Sequence, residues 1–211
     1  MCVRIAVIGS GKIGGTAAAL FAAAGHEIAI GNSRGPASLA SLIKKIGPRA
    51  RAATVEDAAG FGQVALVAIP FGKYRTLPAA ELSAKVVVDA MNYYPERDGQ
   101  IDFGTLTSSE LVARHLTAAR IVKAFNTMYF ETLAAQGRPD RPIDGRLVLF
   151  VAGDDADAKA LVSRLIEEIG FAPIDTGPLS DGGRLQQPGS AIYNHPMTAA
   201  EARAALGRLR P

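Results

Sequence analysis

Short apolar runs alternate along this chain with longer segments in which apolar residues recur at helical spacing. Uninterrupted apolar runs are typical of parallel strands covered on both faces, and their alternation with helices indicates right-handed crossovers. The pattern therefore predicts an α/β fold with a doubly wound, mostly parallel sheet. The predicted strands cover residues 3–8, 27–31, 49–53, 64–69, 85–90, 120–125, 146–151 and 171–175. The predicted helices cover 12–24, 37–46, a short segment from residue 54, 73–82 with a break at Pro78, 108–116, 129–135, 155–169 and 198–209.

Capping residues support several of these boundaries. Gly25 follows the first predicted helix, where a glycine in the left-handed conformation commonly ends a helix. Pro36 stands at a first helical position, where its missing N–H would have no partner anyway. Thr198 precedes the last predicted helix, and Glu201 three residues later predicts a capping box. The chain is therefore expected to end in a helical extension.

The turn between the first predicted strand and helix is rich in glycine and reads Gly9-Ser10-Gly11-Lys12-Ile13-Gly14. In a dinucleotide-binding turn this spacing gives a tight bend at Gly9, room for a pyrophosphate at Gly11 and close helix packing at Gly14. The free amides and the dipole of the following helix then attract the anion. The alternative is a glycine-rich surface turn, but the position between a strand and a helix favours dinucleotide binding.

The loop after the second predicted strand, Asn32-Ser33-Arg34, lacks the carboxylate that binds the ribose hydroxyls in NAD sites. It offers an amide, a hydroxyl and a guanidinium instead. A 2′-phosphate carries about −1.5 to −2 charges, and an arginine can bind it through two charge-assisted hydrogen bonds. The loop therefore predicts NADP(H) as the cofactor. The alternative is a solvated loop arginine.

The carboxyl ends of parallel strands define the ligand crevice of such a sheet. Apolar and amide side chains stand at these ends and predict a slot beside the dinucleotide: Ala68, Ile69, Pro70, Ala90, Met91, Asn92, Phe125 and Asn126. Asp89 is a single carboxylate at a strand end without an evident partner. The sequence contains no Ser-His-Asp arrangement and no Cys/His metal cluster, so we assign no catalytic residue and no metal ligand.

A slot without an acid or a base favours direct hydride transfer between two bound redox cofactors, which depends on proximity and orientation. Dehydrogenation of an alcohol would require a base to remove the hydroxyl proton. Two alternatives stay open. One is reduction of a small carbonyl or imine substrate, with Tyr93, Tyr94 or Lys123 as the proton donor. The other is a non-catalytic module that senses NADP(H).

Charge and composition limit the classes of binding partner that the chain is expected to have. The net charge of +3 is weak, and no basic run with interleaved aromatic residues predicts nucleic-acid binding. The single cysteine, Cys2, excludes an intrachain disulfide and favours a cytoplasmic location. No apolar stretch approaches the roughly 18 residues of a membrane span, and no signal peptide precedes the first strand. We therefore expect a cytoplasmic protein that binds neither nucleic acid nor membrane.

Several motifs carry a resemblance to a known family. They are the segments 8–14, 25–27, 32–34, 68–70, 88–92, 122–126, 153–155 and 175–179. In these, up to about Leu185, the chain resembles the NADP-dependent oxidoreductases of the coenzyme F-420 (F420) type. It is also similar to the NADPH-binding domain of the six-transmembrane ferric reductases. Residues 186–194 match neither group.

The resemblance implies a Rossmann-type fold, with an NADP-binding domain over residues 1–178 and a C-terminal extension, 179–211, packed on the same body. It implies that Ser33 and Arg34 bind the 2′-phosphate and that Ser10, Lys12 and Ile13 lie along the diphosphate. The nicotinamide would then meet a small-molecule redox acceptor in the slot, either the deazaflavin F420 or a flavin such as FMN or FAD. The resemblance also implies a homodimer.

Overall fold

One eight-stranded sheet runs through the computed structural model, which describes residues 2–209. Its strands are β1 (Arg4–Ile8), β2 (Glu27–Gly31), β3 (Ala50–Ala53), β4 (Val64–Val67), β5 (Val86–Asp89), β6 (Arg120–Lys123), β7 (Val148–Gly153) and β8 (Ala172–Gly177). They are ordered β3-β2-β1-β4-β5-β6-β7-β8, and of these pairings that between β6 and β7 is antiparallel. The predicted doubly wound, mostly parallel sheet is confirmed.

Nine α-helices connect and flank these strands within residues 2–209. They are α1 (Lys12–Ala23), α2 (Ala40–Ile46), α3 (Val55–Phe61), α4 (Pro95–Asp98), α5 (Ser108–His115), α6 (Phe130–Ala135), α7 (Ala156–Glu168), α8 (Gly182–Leu185) and α9 (Ala199–Leu209). Shorter 3-10 turns cover Pro36–Leu39, Phe71–Thr76 and Ile143–Gly145. No helix in the described part of the chain is long and apolar enough to span a bilayer.

The helix predicted over residues 73–82 is wrong. The chain instead forms the 3-10 turn Phe71–Thr76, and Leu77 is already extended, with φ −65° and ψ 135°. Pro78 explains the difference, because its ring disfavours helical geometry at the preceding residue and its nitrogen cannot donate a hydrogen bond. Phe71 and Tyr74 are buried and anchor the turn in the core.

The predicted caps are present. Gly25 ends α1 with a left-handed φ of +98°, and Pro36 opens the 3-10 turn that leads into α2. A further capping box, formed by Thr107 and Glu110, begins α5. At α9 the backbone N–H of Thr198 donates to the Glu201 carboxylate at 2.7 Å, while the Thr198 hydroxyl accepts from the Glu201 N–H at 3.5 Å.

Apolar side chains cover both faces of the sheet. On one face, Phe21 of α1 packs edge-on against Phe125, with 5.8 Å between ring centroids. On the other, Phe71 and Val112 join a second cluster with β1, β4 and β5. A third cluster packs α9 against β7 and β8, through residues such as Leu206. The C-terminal helix thus covers the outer strands at that edge of the sheet.

A buried ion pair links the carboxyl ends of the neighbouring strands β5 and β6. Asp89 lies opposite Lys123 in the strand register, with 3.3 Å between the Asp89 Oδ2 and Lys123 Nζ atoms. Both side chains are almost completely buried. Asp89 also accepts hydrogen bonds from the Ser109 hydroxyl and the Met91 N–H, and Lys123 donates to the Met91 carbonyl. Asp89 therefore has partners, contrary to the sequence-based expectation.

Burial lowers the pKa of the Lys123 ammonium, and the Asp89 carboxylate opposes this shift. The lysine thus depends on its partner to remain charged. Because Met91 is bound by both members of the pair, the pair also fixes the start of the loop after β5. The pair therefore positions the backbone that leads to Asn92.

Replacing Lys123 with Met is expected to lower the free energy of unfolding by about 3–5 kcal/mol, because it leaves a buried carboxylate without its counter-charge. Chemical denaturation followed by circular dichroism measures the change. Lys159→Met is the matched control, since Lys159 pairs with the half-exposed Asp175 at 2.7 Å. That pair should contribute no more than about 1 kcal/mol. Equal losses in the two variants would contradict the structural role given to Lys123.

Candidate functional site

A cavity of about 390 Å³ opens at the carboxyl ends of β1, β4, β5 and β6. It lies where the strand order reverses between β1 and β4, the position at which doubly wound sheets bind ligands. The structure brings these predicted site residues together in its lining: Gly11, Lys12, Ile13, Ala68, Ile69, Pro70, Ala90, Met91, Asn92 and Asn126. They come from the turn after β1 with the first residues of α1, and from the segments that follow β4, β5 and β6.

Two glycines of the turn after β1 are required by contacts within the chain. Gly9 has a φ of +106°, and a Cβ there would lie 2.4 Å from the Ala68 carbonyl oxygen. A Cβ on Gly14 would lie 2.0 Å from the Gly9 carbonyl oxygen. Both distances are far below van der Waals contact. These glycines therefore allow α1 to begin directly against the sheet.

Gly11 differs from its two neighbours in the motif. Its φ of −71° suits any residue, and a Cβ there would meet no protein atom within 4 Å. No side chain caps α1 at this position, and the first amides of a helix have no acceptor inside the helix. The open space and the free amides fit a phosphate group that approaches the backbone closely. The backbone at Gly11 therefore fits the pyrophosphate of a dinucleotide.

The Asn32 side chain organises the loop after β2. Its Nδ2 donates to the Ser10 hydroxyl at 2.8 Å and to the Ser38 hydroxyl at 3.0 Å. Its Oδ1 accepts from the backbone N–H of Arg34 at 2.9 Å. Ser33 and Arg34 are exposed on the same loop. Asn32 therefore ties the glycine-rich turn to the loop, while Ser33 and Arg34 remain accessible to an anion.

Two asparagines from neighbouring strand ends bind each other across the cavity. Asn126 Nδ2 donates to Asn92 Oδ1 at 3.0 Å, and Asn92 Nδ2 donates to the Asn126 carbonyl at 2.9 Å. Asn126 is only 3% exposed, yet its Oδ1 has no hydrogen-bond partner among the described residues. Buried acceptors are almost always satisfied. An amide N–H of a ligand, such as that of the nicotinamide carboxamide, would give Asn126 Oδ1 a hydrogen-bond donor. The amide pair therefore fits the nicotinamide end of a dinucleotide.

Phe125 is a predicted site residue that the structure places elsewhere. It is absent from the cavity lining, and its side chain is buried against Phe21 in the core. Its φ of +66° is the physical reason. The left-handed backbone at Phe125 turns the chain at the end of β6, so that Phe125 enters the core while Asn126 reaches the cavity.

The sequence analysis offered three proton donors, and one of them lines the cavity. The Tyr93 hydroxyl donates to the Gly99 carbonyl at 2.9 Å, and its ring packs against Phe71 and Phe103, away from the cavity. Lys123 is buried with Asp89. Tyr94 lines the cavity. Among residues 2–209, no group of three or more His, Cys, Asp or Glu side chains is arranged to hold a metal ion.

Six further residues line the cavity that were not among the predicted site residues. They are Arg97, Met128, Tyr129, Phe130, Tyr193 and Asn194. Tyr193 and Asn194 come from the segment after α8, and the Asn194 N–H donates to the Thr127 carbonyl at 3.0 Å. The Tyr193 hydroxyl shares a hydrogen bond with Tyr94 and accepts another from Asn92 Nδ2 at 3.2 Å. Burial and then the bond to Tyr94 raise the pKa of the Tyr193 hydroxyl.

Known proteins share this arrangement of sequence and fold. A family model described as NADP oxidoreductase coenzyme F420-dependent matches residues 4–93. A protein from Arthrobacter sp. FB24, described as an F420-dependent NADP-reductase, is 27% identical, with a TM-score of 0.73 over 93% of this chain and 99% of that chain. Over residues 4–93 the chain is therefore similar to the F420-dependent NADP oxidoreductases, and the Arthrobacter and Sinorhizobium structures extend the similarity in fold over most of the chain. The resemblance inferred from the motifs is confirmed, as is the Rossmann-type fold.

Two further relatives extend the comparison. A hypothetical protein from Sinorhizobium meliloti is 35% identical, with a TM-score of 0.82 over 94% of this chain and 96% of that chain. Metalloreductase STEAP3 from Rattus norvegicus is 28% identical over 185 residues, which are 87% of this chain. The match covers only 36% of that metalloreductase, so the chain spans about a third of its length.

Two glycine substitutions separate ligand contact from chain packing. Gly11→Ala should cost less than about 1 kcal/mol in unfolding free energy, yet weaken NADPH binding about 10- to 100-fold, because its methyl group intrudes on the phosphate. Gly14→Ala should lower the unfolding free energy by about 1–3 kcal/mol or more. Denaturation and NADPH fluorescence titration measure both effects. Wild-type NADPH affinity in Gly11→Ala would show that no phosphate lies there.

Proposed function

We propose that this protein transfers hydride between NADP(H) and a deazaflavin or flavin bound in the same cavity. The observation that carries the proposal is the slot beside the helix N-terminus, walled by Ile69, Pro70 and Met91 and closed by the Asn92–Asn126 amide pair. Planar rings pack well against such apolar walls, and an amide pair fixes their orientation through a few polar contacts. The family description and the Arthrobacter relative support F420 as the partner.

The dinucleotide would bind with its pyrophosphate at the first amides of α1, where the helix dipole favours negative charge. Ser33 and Arg34 would hold the 2′-phosphate at the end of β2, and Asn126 Oδ1 would accept the nicotinamide carboxamide. Bound there, the cofactor supplies hydride chemistry. The protein's own task is to orient the two rings and to exclude water from the gap between them.

The second ring would lie on the outer side of the cavity. Tyr129 is 59% exposed at this mouth, one of the few large apolar side chains that the described chain leaves open to solvent. The Lys12 ammonium lies 4.5 Å from the centroid of the neighbouring Phe130 ring. An exposed aromatic ring beside a cation suits a planar acceptor that carries negative charge.

Reduction of a small carbonyl or imine substrate is the second candidate function. It requires a proton donor in the slot, and of the three donors considered only Tyr94 lies there. The two functions differ in the acceptor, not in the cofactor.

Stopped-flow mixing of NADPH-loaded protein with F420, FMN and FAD tests the proposal. Oxidation of NADPH by at least one of these acceptors, within seconds and at protein-dependent rates, is expected. A panel of small carbonyl and imine compounds serves as the comparison. Failure of all three flavin-type acceptors would overturn the proposal, and turnover with the small compounds would then favour the second function.

Removing the Arg34 guanidinium should reduce NADPH affinity about 10- to 100-fold, because one charge-assisted hydrogen bond contributes about 1.5–3 kcal/mol. NADH affinity should be almost unchanged, since NADH has no 2′-phosphate. Fluorescence titration of Arg34→Ala with both cofactors measures the difference. Arg114→Ala on the exposed face of α5 is the matched control for the loss of one positive charge. Equal losses for NADPH and NADH would show that Arg34 does not bind the 2′-phosphate.

A further inference from the structure

We propose that the hydroxyls of Tyr94 and Tyr193 form a proton-donating pair that serves the acceptor as hydride arrives. This inference rests on the proposed function, because it assigns a catalytic group within the same cavity. Both residues line the cavity, and neither the family model, which ends at residue 93, nor the motifs of the chain include them.

The segment that carries Tyr193 is tied to the end of β6 by polar contacts. Asn126 Nδ2 donates to the Gln186 carbonyl at 2.7 Å, and the Asn194 N–H donates to the Thr127 carbonyl at 3.0 Å. These two bonds flank Tyr193 along the chain. The hydroxyl therefore occupies a defined position in the wall, although the segment after α8 contains no regular element before α9.

One of the two hydroxyl hydrogens in the Tyr94–Tyr193 pair has no acceptor within the pair. A hydroxyl has one hydrogen and two acceptor lone pairs. Asn92 Nδ2 uses one lone pair of the Tyr193 oxygen, and its other hydrogen is already committed to the Asn126 carbonyl. Tyr94 and Tyr193 share one hydrogen bond, which uses one of their two hydroxyl hydrogens. The second hydrogen remains available to a ligand, whichever tyrosine donates within the pair.

Charge around the pair suits the loss of a proton. The Arg97 guanidinium carbon lies 5.1 Å from the centroid of the Tyr94 ring, and Arg97 also lines the cavity. Together with the Asn92 amide it would stabilise a phenolate. Burial raises the pKa of the Tyr193 hydroxyl, so this hydroxyl keeps its proton in the resting site.

The acceptor that this pair would serve contains a conjugated C=N bond. A hydride, with its electron pair, passes from the nicotinamide of NADPH to the central ring of the acceptor, where it forms a C–H bond in the deazaflavin F420 and an N–H bond in FMN. The π electrons of the C=N bond move to nitrogen. That nitrogen takes the free hydroxyl proton, so one O–H bond breaks and one N–H bond forms. The resulting phenolate regains a proton from water, and NADPH, acceptor and one proton yield NADP⁺ and the reduced acceptor.

The test compares Tyr193→Phe and Tyr94→Phe with Tyr93→Phe, whose hydroxyl binds the Gly99 carbonyl outside the cavity. NADPH-loaded protein is mixed with FMN or F420 in H₂O and in D₂O, and single-turnover oxidation is followed. Each of the first two variants should slow transfer by about 100-fold or more and reduce the solvent isotope effect of the wild type. NADPH affinity should be unchanged, and Tyr93→Phe should behave like the wild type.

A wild-type rate in Tyr193→Phe and Tyr94→Phe, or a slower rate with an unchanged solvent isotope effect, would overturn the proposal. A second readout does not depend on turnover. Fluorescence titration of the NADP⁺-loaded protein with FMN or F420 should show about two- to tenfold weaker binding in Tyr193→Phe. If the wild type oxidises NADPH with neither acceptor, the proposed function fails, and equal acceptor affinities for wild type and Tyr193→Phe would overturn the hydroxyl pair separately.

Discussion

The start of α1 lies against the sheet through two backbone contacts that leave no room for a side chain. Gly14 meets the Gly9 carbonyl, and Gly9 meets the Ala68 carbonyl at the end of β4. Because interiors are close-packed, a methyl group at either position would have to displace backbone. This constraint fixes where the free amides of α1 point. It also places these amides beside the end of β4. The anion site at the start of α1 therefore lies directly next to the slot.

The opposite wall of the slot depends on the buried Asp89–Lys123 pair. Taking both charges out of water is costly, and their attraction only partly offsets that cost, so such a pair contributes little net stability. Its contribution here is positional. The pair connects the ends of β5 and β6, and it binds the backbone N–H and the backbone carbonyl of Met91. The loops that follow these strands carry Asn92 and Asn126, which are hydrogen-bonded to each other. The Asp89–Lys123 ion pair beneath the slot therefore positions the Asn92–Asn126 amide pair.

The sequence predicted what depends on local or periodic signals. The sheet, the glycine-rich turn and most caps follow from short-range patterns, and ten of the expected site residues line one cavity. The helix predicted over 73–82 is wrong, because Pro78 keeps Leu77 extended despite the apolar pattern. The pairing of Asp89 with Lys123 and of Tyr94 with Tyr193 depends on tertiary contacts 34 and 99 residues apart, which no spacing reveals. The division at residue 178 and the homodimer stay predictions.

The two walls of the cavity come from different parts of the chain. The wall that would hold NADP comes from the turn after β1 and the strand ends, which carry the family motifs. The outer wall comes from the loop after β5 and from the segment after α8, which lies outside the motifs that carry the resemblance. Affinity for the dinucleotide and choice of acceptor would therefore depend largely on different parts of the chain. The two amides connect the walls, because Asn92 donates to the Tyr193 hydroxyl and Asn126 donates to the Gln186 carbonyl. A substitution in the outer wall would therefore also affect a nicotinamide bound beside these amides.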